Sequence, residues 1–452
     1  MLGRIDKKKA EIRLSDHFTG ERLLRFVMPS VIMMVFTSIY GVVDGLFVSN
    51  YVGKTPFAAL NLIYPLLMIL GGLGFMVGTG GSAVVAMALG EGKKEKANQY
   101  FSMLIYVTIG LGLALTAVGF AGLRPVARIL GASGEMLENC IVYGWIMLVF
   151  QTFFMLQNVF QSFLITAEKP KLGLAVTVAA GLTNVVLDYV FIAVFGWGLA
   201  GAALATGFSQ MVGGGIPLVY FLRKNKSLLR LTKTRLDTGI LVKTCANGSS
   251  ELMTNISMSL VTVLYNYQLM ALAGENGVAA YGVIMYMNFV FCAMFIGYAI
   301  GCAPIVSYHY GAGGRDELGN LFRKSLVIMA ATGCAMTLLG QVMAAPLTRI
   351  FVGYDRELYE LTCQGMRIYA LSFILSGFNI FGSSFFTALG NGGVSAAISF
   401  LRTLVFQIVS VLVLPMYLGV SGIWLSIVAA EGLALAVTAC FLARNRKRYG
   451  YA

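Results

Sequence analysis

The sequence predicts an all-α polytopic membrane protein whose twelve transmembrane helices form two six-helix lobes related by a pseudo-two-fold axis along the membrane normal. Three observations lead to this fold class. The 452-residue chain is 58% hydrophobic and only 12% charged, about half the charged fraction of a soluble protein. Its apolar runs are long enough to cross a bilayer, which takes roughly 18 residues or more. The first half of the chain also recurs in the second.

Each long apolar run predicts one span. The twelve predicted spans cover residues 24–50, 57–85, 97–121, 137–165, 172–195, 198–222, 241–271, 277–305, 320–344, 358–387, 393–416 and 421–443. They divide the chain into an N-terminal segment at 1–23, an N-lobe at 24–222, a basic linker at 223–240, a C-lobe at 241–443 and a basic tail at 444–452.

The distribution of positive charge predicts the orientation. An even number of spans leaves both termini on one side of the membrane, and the loops on the other side hold only six of the 33 Lys and Arg residues. Because loops rich in Lys and Arg stay in the cytoplasm, we expect both termini to be cytoplasmic and the protein to lie in the plasma (inner) membrane. The net charge of +13 then needs no nucleic-acid partner. We expect a monomer whose partners are membrane lipids and small molecules.

The two lobes are copies in sequence. Gly90, Gly92 and Phe101 recur 221 residues later as Gly311, Gly313 and Phe322, and the same shift carries PVARI at 125–129 onto PLTRI at 346–350. Two such lobes with the same topology are a recurring plan of secondary transporters, in which the substrate site lies between the repeats. Neither a channel nor a membrane enzyme requires this duplication, so we expect no enzyme activity.

Cysteine and histidine patterns indicate no metal, disulfide or cofactor site. The seven cysteines are scattered through apolar stretches without CxxC spacing, and the two histidines, His17 and His309, are far apart. We therefore predict that no metal centre or cofactor is present, apart from a transported H⁺ or Na⁺.

Five charged residues fall well inside the predicted spans. An ionisable side chain in the middle of a membrane is costly, and it is a functional hypothesis by default. They are Asp44, Asp188, Glu251, Arg402 and Glu431.

Helix depth groups two of these acids in the N-lobe. Asp44 lies about 20 residues into span 1 and Asp188 about 16 residues into span 5, or ~30 and ~24 Å from the cytoplasmic ends. Thr206, ~12 Å below the outer end of span 6, shares their level. Asn184 and Tyr40 are one turn deeper on the faces of the two acids. Two close carboxylates cannot both ionise cheaply, so we expect the pair to bind H⁺ or Na⁺. The alternative is that each acid is a satisfied packing residue or a loop-end group near the membrane interface.

The other three charges form a second candidate site in the C-lobe. Glu251, Arg402 and Glu431 lie at similar depths on spans 7, 11 and 12. Arg402 and one glutamate could form a buried ion pair, which would leave the other glutamate to attract a cationic substrate. Neither cluster is duplicated, because the 221-residue shift places Tyr265 and Val409 where the N-lobe has its acids.

The sequence resembles the multidrug and toxic compound extrusion (MATE) transporters of bacteria over almost its whole length. The resemblance rests on the two six-helix halves, SIYGVVDGLFVSNYVG in span 1, NVVLDYVF in span 5, GSSELMTNIS in span 7 and the GNGG turn after span 10. It implies that an organic cation leaves the cell as H⁺ or Na⁺ enters. It also implies a coupling network in the N-lobe at Tyr40, Asp44, Asn184, Asp188 and Thr206.

Two single positions bear on this resemblance, one for it and one against it. Pro29 matches a span 1 proline at which some family members bend, and a proline does remove a helical hydrogen bond. Asn247 departs from the family, since a proline is common at its position in span 7.

The expected function is secondary active multidrug efflux, by antiport and alternating access. The alternatives are a flippase for lipid-linked oligosaccharides of the same superfamily, or a membrane protein that does not transport.

Overall fold

The computed structural model describes residues 12–52 and 54–451. The first eleven residues of the predicted N-terminal segment and the last residue of the tail lie outside these ranges. Twelve helical spans are present in the described part of the chain, as predicted. The helices are longer than the apolar runs because their polar ends continue past the predicted spans.

The N-lobe contains six helices. They are α1 (Gly20–Tyr51), α2 (Lys54–Gly90), α3 (Lys94–Ile129), α4 (Gly134–Thr166), α5 (Pro170–Asp188, continued by a π-helical turn at Tyr189–Val194) and α6 (Gly198–Leu222).

The C-lobe contains the other six. A helix at Thr238–Gly311 is broken at Gly274, where the backbone leaves helical geometry, and its two parts are α7 (238–273) and α8 (275–311). They are followed by α9 (Arg315–Val352), α10 (Arg356–Ala370 and Phe373–Ala388, bent by 49°), α11 (Gly392–Phe400, a π-helical turn at Leu401–Val405, and Phe406–Leu418) and α12 (Val420–Tyr449).

The repeat extends to the backbone geometry of the turns. Gly92 and its equivalent Gly313 have φ angles of 77° and 71°, and Gly198 and its equivalent Gly419 both have a φ of 55°. Residues with a side chain rarely adopt this left-handed conformation. The two halves therefore share their connections as well as their helices.

The lobes meet through α2 with α7 and, equivalently, α1 with α8. The packing is very close at the end of the molecule that carries both termini. A Cβ atom on Gly90 would come within 2.0 Å of the Tyr308 carbonyl oxygen, and a Cβ on the equivalent Gly311 within 2.2 Å of the Met87 carbonyl oxygen. Backbone thus lies directly on backbone at this seam, which closes the terminal end of the molecule.

An N-terminal strap, residues 12–19, crosses the same end. Leu14 and Phe18 are fully buried. The Leu14 amide donates to Glu168 of the N-lobe at 2.6 Å, and the Phe18 amide donates to Glu317 of the C-lobe at 2.9 Å. Lys324 of α9 also donates to the Phe18 carbonyl oxygen at 2.6 Å. The strap therefore binds both lobes where they are closed.

The predicted basic tail is part of the fold. α12 continues to Tyr449, and the chain then turns through Gly450, whose φ is 71°. The Tyr451 ring is buried against Phe322 and Phe385, with ring centroids 4.9 and 5.0 Å away. The tail after residue 443 is therefore anchored to the C-lobe.

We predict that Gly90→Ala destabilises the lobe seam, because the added methyl group would overlap the Tyr308 carbonyl oxygen. Overpacking of this kind costs about 1–3 kcal/mol, so the melting temperature of the purified protein in detergent should fall. Gly110→Ala is the matched control, since nothing lies within 4 Å of its added Cβ. Equal melting temperatures for the two variants would contradict the seam.

Candidate functional site

The structure brings the five N-lobe candidate residues together. The Asp44 carboxyl on α1 lies beside the side chains of Asp188 and Asn184 on α5. Asn184 Nδ2 donates to Thr206 Oγ1 on α6 at 3.5 Å, and the Tyr40 hydroxyl neighbours Asp44. Asp188 is completely buried, and 2% of Asn184 is exposed.

Close helix packing holds this cluster in place. α5 has Gly181 where a Cβ would come within 2.5 Å of the Phe36 ring of α1, so the two helices approach closely. The Ser209 hydroxyl of α6 donates to the Ala180 carbonyl oxygen of α5 at 2.8 Å. Asp188 ends the regular part of α5, directly before the π-helical turn. Such turns are frequent at functional sites.

Three of the four carboxyl oxygens of the acid pair lack a hydrogen-bond donor among the described residues. Both Asp188 oxygens, Asp44 Oδ1 and Asn184 Oδ1 are buried, and none accepts a hydrogen bond from the residues that the structure describes. Two adjacent ionised carboxylates would repel each other there at high cost. A proton on one acid would supply the missing donor to the other. Alternatively, the same oxygens could surround a small cation such as Na⁺.

Three further residues border the acids and were not identified from the sequence. Tyr64 on α2 and Tyr143 on α4 are neighbours of Asp44, and Gln157 on α4 lies beside Tyr40. Tyr64 and Tyr143 lie about ten residues from the outer ends of their helices, or ~15 Å, which is close to the depth of Thr206. The depth rule that grouped the acids could therefore have found both tyrosines.

Pro29 lies within α1, which is helical from Gly20 to Tyr51. A proline has no amide hydrogen, so the carbonyl of Arg25 loses its usual intrahelical partner. The helix nevertheless continues on both sides of this point. The role of Pro29 in bending stays a prediction.

Two of the three C-lobe candidates form an ion pair. Arg402 Nε lies 2.8 and 3.0 Å from the two carboxyl oxygens of Glu431, and Asn379 Nδ2 donates to the same carboxylate at 2.7 Å. Glu431 is 2% exposed. Glu251 is a partly buried electrostatic neighbour of Arg402, and it is the acid left without this bidentate partner. Arg402 lies in the π-helical turn of α11.

Asn247 has a structural role where a proline is common. Its side-chain amide donates to the Thr387 carbonyl oxygen at 2.8 Å and to the Gly80 carbonyl oxygen, in the other lobe, at 3.5 Å. A proline could make neither bond. The departure from the family pattern thus adds a contact across the lobe seam.

The family model MatE matches this chain twice, at residues 29–190 and 252–413. The chain belongs to the MatE family. It is 24% identical over 436 residues to the multidrug export protein MepA of Staphylococcus saprophyticus, covering 96% of this chain and 95% of MepA. MepA of Staphylococcus aureus is 24% identical over 433 residues, covering 94% of each chain.

The fold is also that of solved MatE-type structures. A multidrug resistance MATE family transporter of the MOP superfamily, in an outward-facing conformation, superposes with a TM-score of 0.92 at 23% identity, covering 98% of this chain and 99% of the other. The twelve-helix, two-lobe membrane architecture predicted from the sequence is confirmed.

We predict that Asp188→Asn stabilises this MatE protein. The new amide can donate to the unpartnered Asp44 oxygen and removes one of two adjacent acids, which should raise the free energy of unfolding by about 1 kcal/mol. Thermal unfolding in detergent measures this change. Asn184→Asp is the opposing variant: it adds a third acid and should lower the melting temperature. A large loss of stability in Asp188→Asn would show that the acid is a structural residue.

We predict that Glu431→Leu alone is strongly destabilising, by about 3–5 kcal/mol, because it leaves Arg402 buried without its partner. The double variant Arg402→Met with Glu431→Leu should recover most of that loss. Asn379 Nδ2 also donates to the backbone carbonyl oxygen of residue 431 at 3.0 Å, and the double variant should keep this hydrogen bond. Chemical denaturation of the two variants tests this, and equal stability would contradict the ion-pair account.

Proposed function

We propose that this protein is a secondary active multidrug efflux transporter. It would export amphipathic organic cations in exchange for H⁺ or Na⁺, by alternating access. The observation that carries the proposal is the adjacent pair Asp44 and Asp188, since three of their four carboxyl oxygens are buried without a donor in the described part of the chain. An acid pair of this kind binds a positive charge readily and releases it when the surroundings change. The named function of the MepA relatives, multidrug export, supports the same reading.

Coupling requires that the ion and the drug favour different arrangements of the lobes. The N-lobe at 24–222 and the C-lobe at 241–443 would move as two bodies on either side of a central cleft between them. A charge bound at Asp44 and Asp188, with Asn184, Thr206 and Tyr40 around them, would favour one arrangement. Bending of α1 at Pro29 would transmit this change to the rest of the helix.

The polarity of the C-lobe favours a cationic substrate. Glu431 neutralises Arg402, so Glu251 supplies the remaining charge of that cluster. A flippase for lipid-linked oligosaccharides would need unpaired cations instead, to hold the diphosphate of its substrate. Because Arg402 is paired with Glu431, the charge of this cluster favours an exporter of cations over a flippase.

The proposed orientation has both termini in the cytoplasm, as the Lys and Arg distribution predicts. The closed seam at the terminal end would then leave the central cleft accessible from outside. No cofactor is needed beyond the coupling ion.

The test is efflux of ethidium, a fluorescent organic cation, from proteoliposomes. We expect an imposed proton gradient or sodium gradient to drive uphill transport, and Asp188→Asn to abolish it. Glu360→Gln is the matched control, since Glu360 forms an exposed pair with Arg356. A wild-type protein that responds to neither gradient would refute the antiporter proposal, and full transport by Asp188→Asn would refute the role of the acid pair.

A further inference from the structure

A small cavity lies in the N-lobe, between α4, α5 and α6. It has a volume of about 10 Å³, enough for roughly one water molecule. Gln157 and Gln161 of α4 and Thr177 of α5 line it. These side chains are 7%, 6% and 3% exposed. Since no lining residue is ionisable, any proton that crosses the cavity must be carried by water.

The cavity is aligned with the acid pair along α5. Thr177, Asn184 and Asp188 are buried residues on one face of this helix, because spacings of seven and four return to the same side. Thr177 lies ~16 Å from Asp188 along the axis, towards the terminal end. The cavity reaches Gly173, about one turn from the start of α5 at Pro170.

Gln157 links the cavity to the acids. It lies beside the Tyr40 hydroxyl, which in turn neighbours Asp44, and it also lines the cavity. Its Oε1 atom is buried and accepts no hydrogen bond from the described residues. A water molecule in the cavity could donate to this oxygen, which would satisfy it and orient the water.

A glycine in α6, Gly213, leaves room for the Gln157 side chain. A Cβ atom on Gly213 would lie 2.7 Å from Gln157 Cδ and 3.0 Å from its Oε1. Any side chain at position 213 would therefore push the glutamine amide out of its place at the cavity. The neighbouring Gly215 has no such constraint, because the nearest atom to its added Cβ is 3.9 Å away.

We propose that this cavity is a proton passage from the acid pair to the aqueous phase at the terminal end, and that Gln157 is the positioning residue for its water. This rests on the proposed function. In the step, the carboxylic acid shared by Asp44 and Asp188 gives its proton to water and becomes a carboxylate. The excess proton then moves through the water at Gln157, Gln161 and Thr177. It leaves at the N-terminal end of α5, on the terminal side of the molecule. A space for one water does not admit a hydrated sodium ion, so the passage carries protons.

The variants that test the passage are Thr177→Val, which removes one hydroxyl at nearly constant volume, and Gly213→Ala, which displaces Gln157. Their matched controls are Thr183→Val, whose hydroxyl bonds to the Ala179 carbonyl of its own helix at 2.8 Å, and Gly215→Ala. Two quantities are measured for each protein. They are the initial rate of proton-driven ethidium transport in proteoliposomes, and the number of protons released into weakly buffered detergent solution when ethidium binds.

We expect the initial transport rate of both cavity variants to be about tenfold lower than that of wild type. At equilibrium, both variants should release as many protons as wild type. The controls should match wild type in both measurements. Wild-type rates in both cavity variants would overturn the passage. Loss of equilibrium proton release in them would also overturn it, because the residues would then belong to the acid site or the fold. If the wild-type protein transports ethidium under neither a proton gradient nor a sodium gradient, the proposed function itself fails.

Discussion

Two carboxyl groups that share one buried site, with three of their four oxygens lacking a donor among the described residues, are the constraint on which the N-lobe depends. A chain could remove the cost by replacing Asp188 with the Val that its repeat has at position 409. The cost of the pair is acceptable only if something positive binds there for part of the cycle. The packing of α1 on α5 through Gly181, and the π-helical turn that follows Asp188, both serve to hold the acids side by side.

The C-lobe uses the same architecture for a different purpose. Its charged group, Arg402, lies in a π-helical turn of α11, the repeat equivalent of α5. There Glu431 neutralises Arg402, and Asn379 donates to the same carboxylate. In the N-lobe, by contrast, neither Asp188 oxygen accepts a hydrogen bond from the described residues. The charges of the C-lobe are thus paired within the protein, and under the proposed function those of the N-lobe would exchange a positive charge with the solvent. The seam of Gly90 and Gly311 keeps the two in contact at the terminal end.

Much of this could be predicted from the sequence, because membrane helices are constrained so strongly. Apolar length gave the twelve spans, and depth counting at 1.5 Å per residue brought Asp44, Asp188 and Thr206 to one level. The partner of Arg402 could not be assigned, since two glutamates lie at similar depth and only side-chain direction separates them. The π-helical turns, the strap at 12–19 and the cavity at Gln157 were also missed. They depend on local winding and on tertiary packing, and neither has a signature in hydropathy.

The most direct measurement of the central claim is the affinity of the purified protein for ethidium, by fluorescence anisotropy, across a pH series without sodium and a sodium series at fixed pH. If drug and ion compete through the acid pair, the dissociation constant should change by about tenfold per pH unit, or per tenfold change in sodium, over the range in which one ion is displaced. Asp188→Asn should flatten that dependence. A wild-type affinity independent of both pH and sodium would contradict the account.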